Sequence, residues 1–94
     1  MISNSFMSRI SQNAFTRIAE QALGVLYDSF PVPLSTRQVS LQLVRDNEFT
    51  LTVLLFLEKQ RLSQRVKQGK TGDLERTVLW KISPDAKKRF DAAS

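Results

Sequence analysis

The stretch LLFLEKQRLSQRV, residues 54–66, changes its periodicity half-way along. Up to about Gln60 it reads as the end of a helix. From Leu62 onward apolar and polar residues alternate, placing Leu62, Gln64 and Val66 on one side of a strand. A second alternating run follows at Val78, Trp80 and Ile82. Between the two lies Lys67-Gln68-Gly69-Lys70-Thr71-Gly72-Asp73, a hairpin tip whose two glycines can supply positive φ. A helix therefore feeds directly into a β-hairpin.

Upstream, PLSTRQVSLQL (residues 33–43) contains Ser35 as an N-cap and Gln38 three residues on, a capping-box pattern. The helix it starts is short: Val39 and Leu43 share a face, the small Ser40 lies beside them, and it stops near Arg45. Asp46-Asn47-Glu48 breaks the chain and caps a third helix, with Glu48 favourable in its first turn. Farther back, Phe15, Ile18, Ala19, Ala22, Leu23 and Leu26 recur in steps of three and four, the stripe of an amphipathic helix. That helix ends before Pro31, and the prolines hold Phe30 to Leu34 extended. Ile2, Phe6 and Ile10 carry the helical spacing towards the N-terminus; the same segment has Arg9, Arg17, several serines and no acid, a composition also seen in transit peptides. After the hairpin, Ser83-Pro84-Asp85 opens a short closing helix with proline at its first position.

A two-stranded sheet cannot bury both faces, so the three helices must pack on one of them. The expected fold is α+β, a winged helix-turn-helix with a three-helix core, a two-stranded β-hairpin wing, and short N-terminal and C-terminal helices. It forms a single domain over residues 1–94, with 1–12 an N-terminal extension and 13–90 the core. The segments 33–43, 54–66 and TVLWKISPDAKKRF (77–90) resemble the winged helix superfamily of bacterial regulators, and the likeness covers roughly residues 13–90. Val39, Ser40 and Leu43 occupy its apolar, small and apolar places in the second helix, and Leu54, Leu57 and Leu62 its core positions. Arg61 stands where many members of the superfamily have a glycine at the helix-to-strand corner, so that corner must be made without it.

Composition narrows the chemistry. The 94 residues include no cysteine and no histidine, which removes disulfides, thiolate nucleophiles, histidine bases and the usual zinc ligand sets. No acidic loop offers a Ca²⁺ or Mg²⁺ site. Gly69, Lys70 and Gly72 lack the spacing and the following helix of a phosphate loop. No cofactor, metal or catalytic constellation is expected. The longest apolar run, Val53 to Leu57, is far short of the roughly 20 residues of a membrane span. Lack of cysteine fits a reducing compartment, and a cytoplasmic location is expected.

Net charge is +5, and the entire excess lies in residues 61–94, where nine bases face four acids. A basic surplus confined to one third of a fold marks a phosphate-binding surface or a solubilising face. The resemblance and the charge together imply duplex DNA as partner. The expected contacts are Arg65, Lys67, Lys70 and Arg76 on the wing, Thr52 and Lys59 on the third helix, and Arg37 on the second. With Leu54 taken as the centre of the buried face, Phe56 points away and Val53 and Leu55 lie at the sides. That helix is an unusual base reader, since it shows threonine, phenylalanine and one lysine behind the acidic Asp46 and Glu48. Its apolar outer side is expected to form an interface through Phe56, Val53 and Leu55, joined by Ile2, Phe6 and Ile10, in a homodimer or with another protein. The N-terminal segment alternatively covers that side within the monomer. The competing function is a winged helix adaptor or inhibitor that never touches DNA.

Overall fold

The computed structural model describes residues 2–67 and 78–93, with side chains over 13–66 and 78–93. The hairpin tip, Lys70 and Arg76 lie outside the described residues, as do the side chains of Ile2, Phe6, Ile10 and Lys67. The apolar stripe from Phe15 to Leu26 belongs to one unbroken helix of 28 residues, α1 (Ile2–Ser29), rather than to a core helix preceded by a short separate one. Nothing between Ile2 and Ser29 breaks a helix: there is no proline, and Gly24 is the lone glycine. Pro31 then stops it, and Phe30 and Val32 return their N–H groups to the carbonyls of Tyr27 (3.2 Å) and Ser29 (2.8 Å).

The proline-extended segment continues into a strand that the sequence pattern does not signal, β1 (Leu34–Ser35). Extended backbone exposes unpaired N–H and C=O groups, and here they find the neighbouring strand. The capping box then starts α2 (Thr36–Leu43): Ser35 Oγ accepts from Gln38 N–H at 3.1 Å, and Gln38 Oε1 accepts from Ser35 N–H at 2.8 Å. Asp46 caps α3 (Asn47–Lys59), its carboxylate accepting from Phe49 N–H at 2.8 Å. Strands β2 (Ser63–Lys67) and β3 (Val78–Ile82) follow, and α4 (Pro84–Ala93) closes the chain. The sheet is antiparallel with three strands in the order β1-β3-β2, not the two-stranded hairpin expected, because Leu34 pairs with Trp80 and Ser35 with Leu79.

Register decides which side of the sheet faces the helices. Ser63 pairs with Ile82, Gln64 with Lys81, and Arg65 with Trp80. Cross-strand partners share a face, so Ser63 and Arg65 accompany the buried Trp80 and Ile82. Gln64 and Val66 accompany Lys81 and Leu79 on the opposite side. The core is built from Ile18, Ala19, Ala22, Leu23 and Leu26 of α1, Val39 of α2, Val53, Leu54 and Leu57 of α3, Trp80 and Ile82 of β3, and Ala86 of α4.

Both helix exits on the way to the wing are Schellman turns made without glycine. After α2, Val44 adopts φ 57°, with Val44 N–H bonded to Leu41 O and Arg45 N–H to Ser40 O. After α3, Arg61 adopts φ 64°, with Arg61 N–H bonded to Glu58 O (2.9 Å) and Leu62 N–H to Leu57 O (2.8 Å). The second corner is braced further. Ser83 Oγ donates to the Arg61 carbonyl (3.0 Å), Ser83 N–H donates to the Leu62 carbonyl (2.9 Å), and Ser83 Oγ accepts from Ala86 N–H as the cap of α4. One serine thus ties the corner, the sheet and the last helix together. At the other end of α4, Asp91 accepts from Lys87 Nζ (2.7 Å) and from the Tyr27 hydroxyl (2.6 Å), and these two bonds, Lys87 first, hold its carboxyl below the usual range. The Lys87 ammonium also sits 4.9 Å from the Phe30 ring centre, so α4 is pinned to the end of α1.

Candidate nucleic-acid interface

Helix α3 advances about 100° per residue. Thr50, Val53, Leu54 and Leu57 are its buried residues, so the burial axis lies roughly 50° from Leu54, towards Leu57 and Val53. The expectation that Val53 belongs to an outer interface is therefore corrected: Val53 is 0% exposed and part of the core. The sequence could not set this phase because Leu51, Val53, Leu54, Leu55, Phe56 and Leu57 are all apolar. Packing against α1, α2 and β2 chooses among them.

The remaining apolar residues divide between two flanks. Phe56, 36% exposed, meets Phe15 of α1 edge-on at 5.1 Å, and Phe15 meets Phe49 at 6.0 Å. The Arg45 guanidinium lies 5.8 Å from the Phe49 ring centre. These residues border an open concavity of about 790 Å³ together with Asn13 and Ile18. The other flank carries Leu51 and Leu55, 40% and 41% exposed, facing the wing. They share a second concavity, about 670 Å³, with Arg37, Asn47, Arg65, Val78 and Trp80. Leu51 is the residue that sequence reasoning missed, since a phase centred on Leu54 turns it towards the core. Glu48, Thr52 and Lys59, between the two flanks, are exposed.

Around the wing-side concavity the polar groups are specific. Ser40 Oγ lies within hydrogen-bond distance of the Arg37 carbonyl (2.8 Å) and of the Asn47 side-chain oxygen (2.7 Å), linking α2 to the start of α3. Trp80 is buried, and its Nε1–H donates to Thr36 Oγ1 at 2.9 Å, which fixes the first turn of α2 against β3. Arg65 makes a two-pronged pair with Glu58, at 2.8 and 3.0 Å, and its guanidinium lies 5.7 Å from the Trp80 ring centre. The hydrogen bond from Arg65 to Glu58, then the carboxylate's charge, raise the arginine pKa further. Arg65 therefore stands oriented at the base of the wing with part of its charge answered within the protein. Arg37 and Lys59 are exposed, with no acidic partner among the described residues. The structure thus brings Arg37 and Arg65 to one concavity beside the wing, leaves Thr52 and Lys59 on the exposed ridge of α3 between the two flanks, and sends Phe56 to the flank that meets α1.

Neither a protein-family model nor a curated protein matches this sequence. Solved structures do. The Staphylococcus aureus MepR–DNA complex superposes with a TM-score of 0.71 at 21% identity, covering 98% of this chain and 75% of that one. Lactococcus lactis ZitR, as an apo mutant, gives 0.66 at 20% identity over 99% of this chain and 70% of that one. The fold is a winged helix-turn-helix. A structure described as a zinc-responsive MarR family member, again ZitR, agrees at a TM-score of 0.62 and 22% identity over 80% of this winged helix chain and 50% of that one. Among the described residues, no helix is long and apolar enough to cross a membrane.

Proposed function

We propose that this winged helix is a DNA-binding transcriptional regulator of the cytoplasm, without catalytic activity, that grips duplex DNA with α3 and the wing. The observation that carries the reading is that Arg37 of α2 and Arg65 at the wing base line one concavity with Leu51 and Leu55 of α3's outer face. The fold is also one in which MepR was solved bound to DNA. β2 runs to Lys67, and Lys70 and Arg76 fall in the hairpin sequence between β2 and β3, so this reading assigns them phosphate contacts beside Arg65. Phosphate neutralisation by such a wing releases counterions and gives binding a steep dependence on salt.

The protein acts as a homodimer in this reading. Phe56 and the concavity it borders, with Ile2, Phe6 and Ile10 of the long α1, supply the apolar contact, leaving Leu55 on the DNA side. The second reading, an adaptor that binds protein only, draws on the acidic entry at Asp46 and Glu48 and on the exposed leucines. A salt titration against random-sequence duplex DNA separates the two. The regulator gives a steep slope. Replacing Lys67, Lys70 and Arg76 with glutamine flattens it by about one unit for each phosphate left without its cation. An unchanged slope in that triple variant would sink the wing model, and no binding at low salt would leave the adaptor.

A further inference from the structure

The face of α3 that turns towards the wing is apolar where a base-reading helix usually carries hydrogen-bonding side chains. Leu51 and Leu55 are exposed there, yet the core is complete without them. Thr52 adds a methyl group beside them, and its hydroxyl is already committed to the Glu48 carbonyl at 3.1 Å. Two side chains on this face thus present hydrocarbon outward, with Thr52 at its edge. The surroundings say what kind of surface would cover them. Arg37 and Arg65 line the same concavity as the two leucines, and Lys59 stands one turn beyond Leu55. Hydrocarbon bordered by Arg37 and Lys59, and by an Arg65 whose charge Glu58 answers in part, complements a surface that is anionic at its margins and carries apolar groups between them. The major groove of a T-containing duplex is such a surface, with phosphates on both rims and the thymine C5-methyl projecting into the groove.

Resting on the DNA reading above, we propose that α3 reads thymine by its methyl groups, through Leu51, Leu55 and the Thr52 methyl. Leu51 and Leu55 are one helical turn apart, about 6 Å along the axis, which spans roughly two steps of base stacking at about 3.4 Å each. The two leucines therefore cover methyls on base pairs two steps apart, which in an alternating duplex carry thymines of the same strand. Glu48, one turn before Thr52 and exposed, carries a charge that repels phosphate and accepts hydrogen bonds only, as a cytosine amino group at the edge of the site would require.

The test uses duplexes that differ only in the methyl group. Alternating dA·dT and alternating dA·dU duplexes have the same sequence and the same minor groove. Alternating dG·dC and its 5-methylcytosine form add a methyl at the equivalent major-groove position of a different base pair. The full chain is expected to bind the dA·dT duplex about fourfold more tightly than the dA·dU duplex for each methyl covered, hence roughly 15-fold for two. It is also expected to prefer the methylated dG·dC duplex to the plain one. The double variant Leu51→Ala, Leu55→Ala, with its fold confirmed by circular dichroism, loses this discrimination while keeping the salt slope. Equal binding of dA·dT and dA·dU would overturn the methyl assignment and leave the DNA reading standing. Discrimination that survives in the double variant would overturn the role of these leucines. Failure to bind any duplex at low salt would overturn the DNA reading and this inference together, and would point to a protein partner for the same face.

Discussion

Leu54 and Leu55 are neighbours of the same chemistry with opposite fates. Leu54 is 0% exposed in the centre of the core, and Leu55 is 41% exposed beside the wing. The inner face of α3, with Thr50, Val53, Leu54 and Leu57, completes the fold. The outer face, with Leu51, Thr52, Leu55 and Lys59, contributes little to it and is available for recognition. An apolar residue on a helix is thus not by itself evidence of burial, since hydrocarbon in this helix serves two surfaces more than a quarter-turn apart.

The contrast breaks most visibly if the phase is wrong, so the inner face gives the largest expected effect. Val53→Ala removes two buried methyls and leaves a cavity, costing about 2–3 kcal/mol, enough to threaten so small a domain. Denaturant midpoints check this. A Val53→Ala variant as stable as the parent would restore Val53 to the surface. Next comes Phe56, which belongs to neither leucine surface. Phe56→Glu is expected to cost about 1 kcal/mol through its edge contact with Phe15 and to shift sedimentation towards monomer while circular dichroism stays that of the folded chain. Outright unfolding would place Phe56 in the core, and unchanged assembly would remove it from the dimer contact.

The two glycine-free corners sharpen the comparison at smaller scale. A left-handed residue other than glycine costs about 1–2 kcal/mol, and glycine returns part of that gain through its own unfolded-state entropy. Arg61→Gly and Val44→Gly are each expected to raise stability by about 0.5–1 kcal/mol, read from the same denaturant midpoints. Val44 is 85% exposed and β-branched, so its side chain offers the corner nothing in return. A loss of stability at either site would show that the side chain is holding its turn.

What the sequence discloses here is mostly local. The Ser35–Gln38 capping box, the Asp46 cap and the Ser83-Pro84 start all depend on residues within one turn of each other, and each forms as expected. The glycine-free corner at Arg61 is equally visible, because a helix that must turn into a strand needs a left-handed residue wherever the period changes. Strand β1 is not visible, since two residues become a strand only by pairing with β3, more than forty positions away. The phase of α3 is hidden for a related reason. Six apolar residues within seven positions leave the period undefined, and only packing against α1, α2 and β2 selects Val53 over Leu55. The charge asymmetry is legible as a number, while the pairing of Arg65 with Glu58, which answers part of it within the protein, requires the register of β2.

The division of α3 into a folding face and a recognition face is tested most directly by measuring stability and duplex-DNA affinity on the same two variants, Leu54→Ala and Leu55→Ala. Leu54→Ala is expected to lose about 2–5 kcal/mol of stability. Leu55→Ala is expected to stay within about 0.5 kcal/mol of the parent while binding a T-containing duplex about fourfold more weakly or worse. A Leu55→Ala variant that loses stability as Leu54→Ala does, or one that binds DNA as the parent does, would contradict the account.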